Sequence, residues 1–461
     1  MNNCLWKATP LPYDCDPLAQ LDGTKTDVAI IGGGYTGLWT AYWLKKLAPD
    51  LAITVLEAYT LGHGASGRNG GWLMGSLEGL THFVTSSGRL SQAVLSELRS
   101  LVTSAVGTLT ELEIDCDLKH GGGLFAASRY TAQQPRAQAM LQALWALGFS
   151  SDDYQWLSAS DLRSRFTISQ PFGAIETPHV ATLHPGKLLR GLASEVQKLG
   201  VNIREQCAAL SFKKHSVQTS RGLIACKHIV IATEGYSEKT PMNRRLISVR
   251  SGMVSTAPMS QQQWQQLGFS RHEAFCDLSR ASTYCQRTAD NRLIVGARGD
   301  YAWGNKPWHA HGASAKGTRQ RITLAKALFP TLKDVEFTHA WEGSLGISRR
   351  LTPHVVFDHK ACIATAGGYA GEGVGASFLF GRTLAEGITG CASNRLHMPW
   401  VMRGNIDNII PRWEFEPLPW LGFTTMTAAI ALEDAMLSHE LPGTWLVTKA
   451  CDALETMMGI G

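Results

Sequence analysis

The sequence predicts an α/β protein in which a lobe of parallel βαβ units is interleaved with an α+β lobe built on an antiparallel sheet. Three observations carry this. Residues 27 to 57 read as strand, glycine turn, helix and strand. Buried-type apolar runs at 229–233 and 364–367 return to the same kind of strand much later in the chain. Between them, residues 244–340 alternate short strand-like runs with turn signals such as Asp290-Asn291, the pattern of an antiparallel sheet.

The first unit is the most specific. Gly32, Gly34 and Gly37 follow the apolar run Val28 to Ile31 and open a helix-compatible stretch from Leu38 to Leu47. Glu57 stands twenty residues past Gly37, at the end of the run Ile53-Thr54-Val55-Leu56. In a βαβ unit such glycines permit the tight turn, let the backbone approach a pyrophosphate, and let helix pack on strand. The helix start, with Tyr35 and Thr36, offers free N–H groups and a positive dipole end to phosphate. Glu57 is then placed to accept hydrogen bonds from a ribose, so a dinucleotide site is expected here.

The remaining elements follow in order. Residues 1–23 are Pro-rich and aperiodic, an expected surface arm anchored by Trp6 and Tyr13. Apolar positions at helical spacing predict a long helix within 88–115 crossing to the second lobe, then a strand at 121–127 and a helix at 132–147. Leu157-Ser158-Ala159-Ser160-Asp161-Leu162 starts another helix, and 188–199 is an amphipathic helix ended by Gly200 before a strand at 201–203. Strands are expected at 247–254, 282–286, 293–295 and 335–339, and helices at about 424–437 and 444–457. The division is therefore an arm (1–23), a discontinuous dinucleotide lobe (24–80, 170–243 and 341–395), a second lobe (81–169 and 244–340) and a helical tail (396–461).

Composition narrows the function classes. With 461 residues and 44% hydrophobic content the chain can bury a large core. A net charge of +5, with Lys and Arg scattered, indicates neither nucleic acid nor a membrane surface. Ten cysteines at irregular spacing, without a CxxC pair, argue against a disulfide framework and a structural metal. No signal-peptide core and no membrane-spanning run occur, so a cytoplasmic location is expected.

Two further glycine-rich blocks extend the site. Gly64 to Trp72, containing Ala65, Ser66, Gly67, Arg68, Asn69 and Gly70, supplies backbone freedom, N–H donors and a fixed positive charge. Ala364 to Ser377 is a strand that breaks into Gly367, Gly368, Gly371, Gly373 and Gly375 and restarts as a helix near Gly373 and Val374. The N-terminal end of that helix would favour negative charge before it.

With these three blocks in order, the chain resembles the D-amino acid oxidase-like superfamily of FAD-dependent oxidoreductases over residues 25–390. Leu183 to Leu189 and Trp341 to Ser344 add to the likeness. Trp413 to Gly422 further resembles the tail of amine oxidoreductases of the gamma-glutamylputrescine oxidoreductase type. The resemblance implies FAD as cofactor, a Rossmann-like FAD-binding lobe, a substrate lobe, and oxidation of a C–N bond. It assigns Gly32, Gly34, Tyr35, Thr36 and Gly37 to the pyrophosphate and Glu57 to the ribose. Ala65, Ser66, Gly67, Arg68, Asn69 and Gly70 would line the flavin, and Thr233, Gly368, Gly371, Gly373 and Val374 would approach it. Two positions depart from the family pattern: Glu234 stands where Asn is common, and Arg349-Arg350 where many members have Thr-x-Asp. Covalent or non-covalent attachment stays open.

A small amine arrives as ammonium, whereas hydride loss needs the neutral form. Moving its pKa from about 10 to about 7 costs about 4 kcal/mol, which a dry aromatic pocket can supply by desolvation. Tyr369, Trp341, Tyr284, Tyr301, Trp303 and Trp308 are candidates for that pocket. Glu372 is expected to attract the ammonium, Arg68 to present charge at the flavin, and Arg280 or Arg287 to clamp an acidic group on the substrate. His184 reads as a turn residue. Oxygen or another acceptor would reoxidise the cofactor. Competing readings are an NAD(P)-dependent dehydrogenase and a flavin-binding partner protein without turnover.

Overall fold

The computed structural model describes residues 1–7 and 20–459. One sheet runs in the order Val401–Arg403, His354–Asp358, Ile363–Gly367, Gly222–Ile231, Thr24–Ile31, Ile53–Leu56 and Asn202–Arg204, with a hairpin of Ala209–Lys213 and Ser216–Thr219 joined to it. Along this path all neighbours are parallel except the pair 354–358 and 363–367. Both faces are covered, which is why Val28, Ala29 and Ile30 are fully buried and the strand reads as a continuous apolar run. Helices Tyr35–Leu47 and Gly373–Thr389 pack against each other on it. Their approach depends on Gly381, where a Cβ would lie 2.7 Å from Trp39 Cβ.

The second sheet has eight strands, in the order Phe337–Ser348, Leu246–Thr256, Leu293–Tyr301, Thr283–Arg287, Ala274–Asp277, Gly123–Ala127, Gly173–Thr177 and Gln155–Leu157. It is antiparallel apart from the pair 123–127 and 274–277. A separate aromatic core of Phe166, Trp264, Phe269, Phe275 and Phe329 fills its far side. The expected α/β class with an antiparallel second sheet is therefore the observed one.

Several elements differ from the sequence reading. The helix Gln92–Glu111 buries Val94, Leu98 and Val102 in the same core as the parallel sheet's helices, with its apolar stripe turned toward them. The strand expected at 335–339 runs on through Ser348, so Trp341 to Ser344 belong to the antiparallel sheet, and the chain rejoins the parallel sheet only at His354. Residues 173–177 likewise sit in the antiparallel sheet. His184 is more than a turn residue: it caps the helix Pro185–Lys198, its ring accepting from Lys187 N–H.

The arm is anchored as expected at Trp6, which is buried and donates to the Asn69 carbonyl at 2.8 Å. Tyr13 lies outside the described residues. The tail helices Leu418–Ser438 and Thr444–Met458 pair with each other and lie against the antiparallel sheet through Met426 and Met458. All nine cysteines among the described residues are free. None of the described helices is long and apolar enough to cross a membrane.

Candidate active site

The two sheets face one another across a continuous cleft of about 1840 Å³. That exceeds the roughly 300–1,000 Å³ of an ordinary small-ligand pocket and leaves room for an extended dinucleotide with a substrate beside it. Gly32, Gly34, Tyr35, Thr36, Glu57, Ala65, Ser66, Arg68, Asn69, Gly70, Thr233, Gly371, Gly373 and Val374 all line it, brought together from three separate stretches of chain.

The cradle is set by backbone. Gly32 has φ +111°, and a Cβ there would lie 2.5 Å from the Ala232 carbonyl. At Gly34 a Cβ would fall 2.8 Å from Ser66 Oγ. Helix 35–47 starts with no side-chain cap on Gly34, and Ser66 Oγ accepts from Tyr35 N–H at 2.9 Å. Helix 373–389 also starts without a side-chain cap, so two positive helix ends line one cleft. Glu57 holds the turn: its Oε2 accepts from Gly33 N–H at 3.0 Å and its Oε1 from Tyr59 N–H at 2.9 Å. Burial raises the Glu57 pKa, and those two N–H groups oppose the rise. The loop that follows is fixed by Asn69, which donates to Ser66 O at 2.9 Å and accepts from Gly71 N–H at 2.8 Å. Glycines where a Cβ would obstruct, two positive helix ends and a carboxylate at the strand end together fit a bound dinucleotide such as FAD.

Gly37, Gly67 and Gly368 do not line the cleft and serve packing instead. A Cβ on them would meet Gly32 O at 2.1 Å, Gly62 O at 2.2 Å and Thr352 O at 2.9 Å respectively.

The side-chain candidates divide. Tyr284 lines the cleft, with its hydroxyl 3.0 Å from Ser251 Oγ. Tyr369 also lines it and is tied to Thr36 Oγ1 at 2.9 Å, with burial pushing its phenol far up. Glu372 lies on the wall at the start of helix 373–389, where both its carboxylate oxygens accept from Ser76 Oγ at 2.9 Å. Trp341 is not a cleft residue. It is fully buried, stacked edge-on against Trp6 and donating to the Arg68 carbonyl, because a strand side chain pointing away from the cleft enters the core.

Arg68 lines the cleft, but its guanidinium is occupied by the carbonyls of Ala310 at 2.6 Å and Glu342 at 3.1 Å, with His309 and Trp308 further out. Through these bonds it ties the strand 337–348 to the cradle. Arg280 is held by Glu433 at 2.7 Å and by Asp452 and Glu455. Arg287 bonds Asn291 and stacks over Trp264, away from the cleft. Neither arginine is arranged as a substrate clamp. Of the other aromatics, Tyr301 lines the cleft and bonds Glu416, whereas Trp303 is 53% exposed and Trp308 stacks under Arg250.

The site also contains residues the sequence reading passed over. His63 and His309 line the cleft 3.1 Å apart, and burial followed by the nearby Arg68 charge holds His63 down to about 3. The tail helix lines the outer cleft with Trp420, Phe423, Thr427 and Ala431. Arg349, one of the departures from the family pattern, stacks on Trp413 and bonds Glu414, so it serves tail docking.

Comparison with known proteins agrees with this geometry. The model of the DAO family, FAD dependent oxidoreductases, matches residues 27–387. The probable oxidoreductase OrdL of Haemophilus influenzae is 25% identical over 82% of this chain and 86% of its own length. Gamma-glutamylputrescine oxidoreductase of Escherichia coli is 26% identical over 79% of this chain and 84% of its own. The crystal structure of glycine oxidase from Geobacillus kaustophilus shares the fold with a TM-score of 0.67, at 20% identity, covering 80% of this chain and 96% of that one. With a family match spanning most of the chain and the cradle it requires in place, this protein belongs to the DAO family of FAD-dependent oxidoreductases.

Proposed function

We propose that this protein oxidises the C–N bond of a small amine, giving an imine that hydrolyses to a carbonyl compound and ammonia or a smaller amine. The observation that carries this reading is the composition of the cleft beside the cradle: aromatic Tyr284, Trp72 and Phe125, with the carboxylate of Glu372 at a helix start. When bound, FAD supplies the two-electron acceptor for the hydride and passes the electrons to oxygen or another carrier.

The chain's residues do the rest. Glu372, steadied by Ser76, attracts the substrate as ammonium. The aromatic wall then strips water from the amine, and desolvation favours the neutral form by the roughly 4 kcal/mol required. A carboxylate on the same nitrogen would oppose that loss, so Glu372 serves recognition and not proton removal. Arg280 lines the cleft with its guanidinium held by Glu433, Asp452 and Glu455, and Arg287 lies away from it, so neither of these two is the clamp of an acidic substrate in this reading. The names of relatives, one for an amine substrate and one for an amino acid, support the wider class.

The test is the visible spectrum of the purified protein, followed by anaerobic addition of primary amines, N-methylated amines and amino acids. Bleaching by amines but not amino acids is the expected result. Bleaching only by amino acids would overturn the preference for amines, and a yellow protein that none of them reduces would favour a flavin-binding partner without turnover.

A further inference from the structure

We propose that Glu234 is a positioning residue that joins three chain segments and thereby fixes the start of helix 373–389 toward the cofactor. Its Oε1 accepts from Gly368 N–H at 3.1 Å and Tyr369 N–H at 3.2 Å, and its Oε2 accepts from Gly346 N–H. One carboxylate so connects the end of the parallel sheet, the antiparallel strand 337–348 and the loop that precedes the helix. The side chain is enclosed by these segments and also lines the cleft.

The loop needs such a hold. Gly368, Ala370 and Gly371 have φ of +78°, +51° and +126°, and Glu234 itself has +44°. A non-glycine residue there costs about 1 kcal/mol or more, and such conformations persist only where surrounding bonds over-determine them. Further fastenings are Ala370 N–H to Gly346 O at 3.3 Å, the Tyr369 hydroxyl to Thr36 and, at the helix start, Ser76 Oγ to Glu372. Glu234 is the side chain that bonds the backbone of both the strand 337–348 and the loop.

The chemistry suits a carboxylate and no close substitute. Three N–H donors converge on two oxygens, each with two lone pairs. A Gln side chain would set its NH₂ against at least one donor, and an Asn would be shorter with a single acceptor oxygen. Gly346 is part of the same device, since a Cβ there would lie 2.4 Å from Glu234 Oε2. This inference rests on FAD binding and not on which substrate is oxidised.

The experiment compares E234Q, E234A, G346A and the double variant E234A/G346A with wild type, each folded by far-UV circular dichroism. FAD affinity is read by titration of the apoprotein, and the midpoint potential of the bound flavin by dye-linked reduction. Expected are an FAD Kd at least about tenfold higher in E234Q and G346A, and a lower potential in G346A. G346A keeps the carboxylate charge while pushing it out of place, so the fall in potential reports the helix end moving away from the flavin. E234A/G346A should bind FAD no more weakly than E234A alone, because the methyl at 346 then has nothing to displace. Wild-type Kd and potential in folded E234Q and G346A would overturn the proposal, as would losses that simply add in the double variant. Should E234Q fail to fold, G346A decides.

Discussion

The two walls of the cleft are built by different means. On the cradle wall the function lies in backbone: Gly32 at φ +111°, Gly34 against Ser66, and two positive helix ends. On the opposite wall it lies in side chains whose partners are far away in sequence, as with Arg280 and Glu433. The comparison teaches that a backbone requirement restricts the residue type at one position. A side-chain role is settled only by what the fold brings beside it.

The comparison can be broken first at the cradle. Gly32→Ala forces a methyl to 2.5 Å from the Ala232 carbonyl at a left-handed position, and should weaken FAD binding by about a hundredfold or more, about 3 kcal/mol. A fluorescence titration of the apoprotein checks this, and tight FAD binding by the variant would undo the cradle assignment. On the other wall, Arg280→Met leaves fully buried Glu433 with Arg136 as its remaining ion-pair partner beside Thr448. It should cost about 3 kcal/mol of stability and several degrees of Tm while leaving FAD affinity close to wild type. A large loss of FAD affinity with unchanged Tm would place Arg280 at the cofactor instead.

Smaller effects sharpen the contrast. Glu372→Gln should raise KM for the amine about tenfold, about 1.4 kcal/mol, with FAD affinity little changed. An unaltered KM in steady-state assays would remove Glu372 from substrate recognition. Ser66→Ala removes the acceptor for Tyr35 N–H at the helix start, an expected loss of about 1 kcal/mol in stability by denaturant titration. The smallest effect concerns pH. Burial pushes Glu234 up to about 7 from an ordinary 4.5, so the folded state takes up a proton between those values. Its contribution to stability is then fullest below pH about 4.5 and is lost as pH rises through about 7. The Tm difference between wild type and E234Q should shift in that direction across the window, and a difference that is flat with pH would contradict the assignment.

Much of the fold was legible because its signals are local. The glycine turn, the apolar strands at 28–31 and 229–231 and the helix stop at Gly200 each carry their reason in adjacent residues. The extent of the strand 337–348 was not, since Trp341 to Ser344 pair with Arg250 to Met253 and a short motif does not announce its partner. The same limit governs the site. Gly32, Gly34 and Ser66, expected in the backbone cradle, do line the cleft, whereas Trp341 and Arg68 were read by residue type. Trp341 turned out to face the core and Arg68 to hold backbone carbonyls. Glu234 was visible only as a departure from a family pattern, and its three N–H partners come from 346, 368 and 369. The tail helix's contribution to the cleft depends on ion pairs spanning over 150 residues, which periodicity alone does not predict.

The most direct test of the account is the rate of anaerobic flavin reduction by the best amine of the panel, followed across pH. The account predicts a rate that rises with pH and levels off with an apparent pKa well below the roughly 10 of a free amine, because the cleft binds the ammonium and desolvates it. A rate that is independent of pH, or that follows the pKa of the free amine, would contradict the claim that this cleft prepares the amine for oxidation.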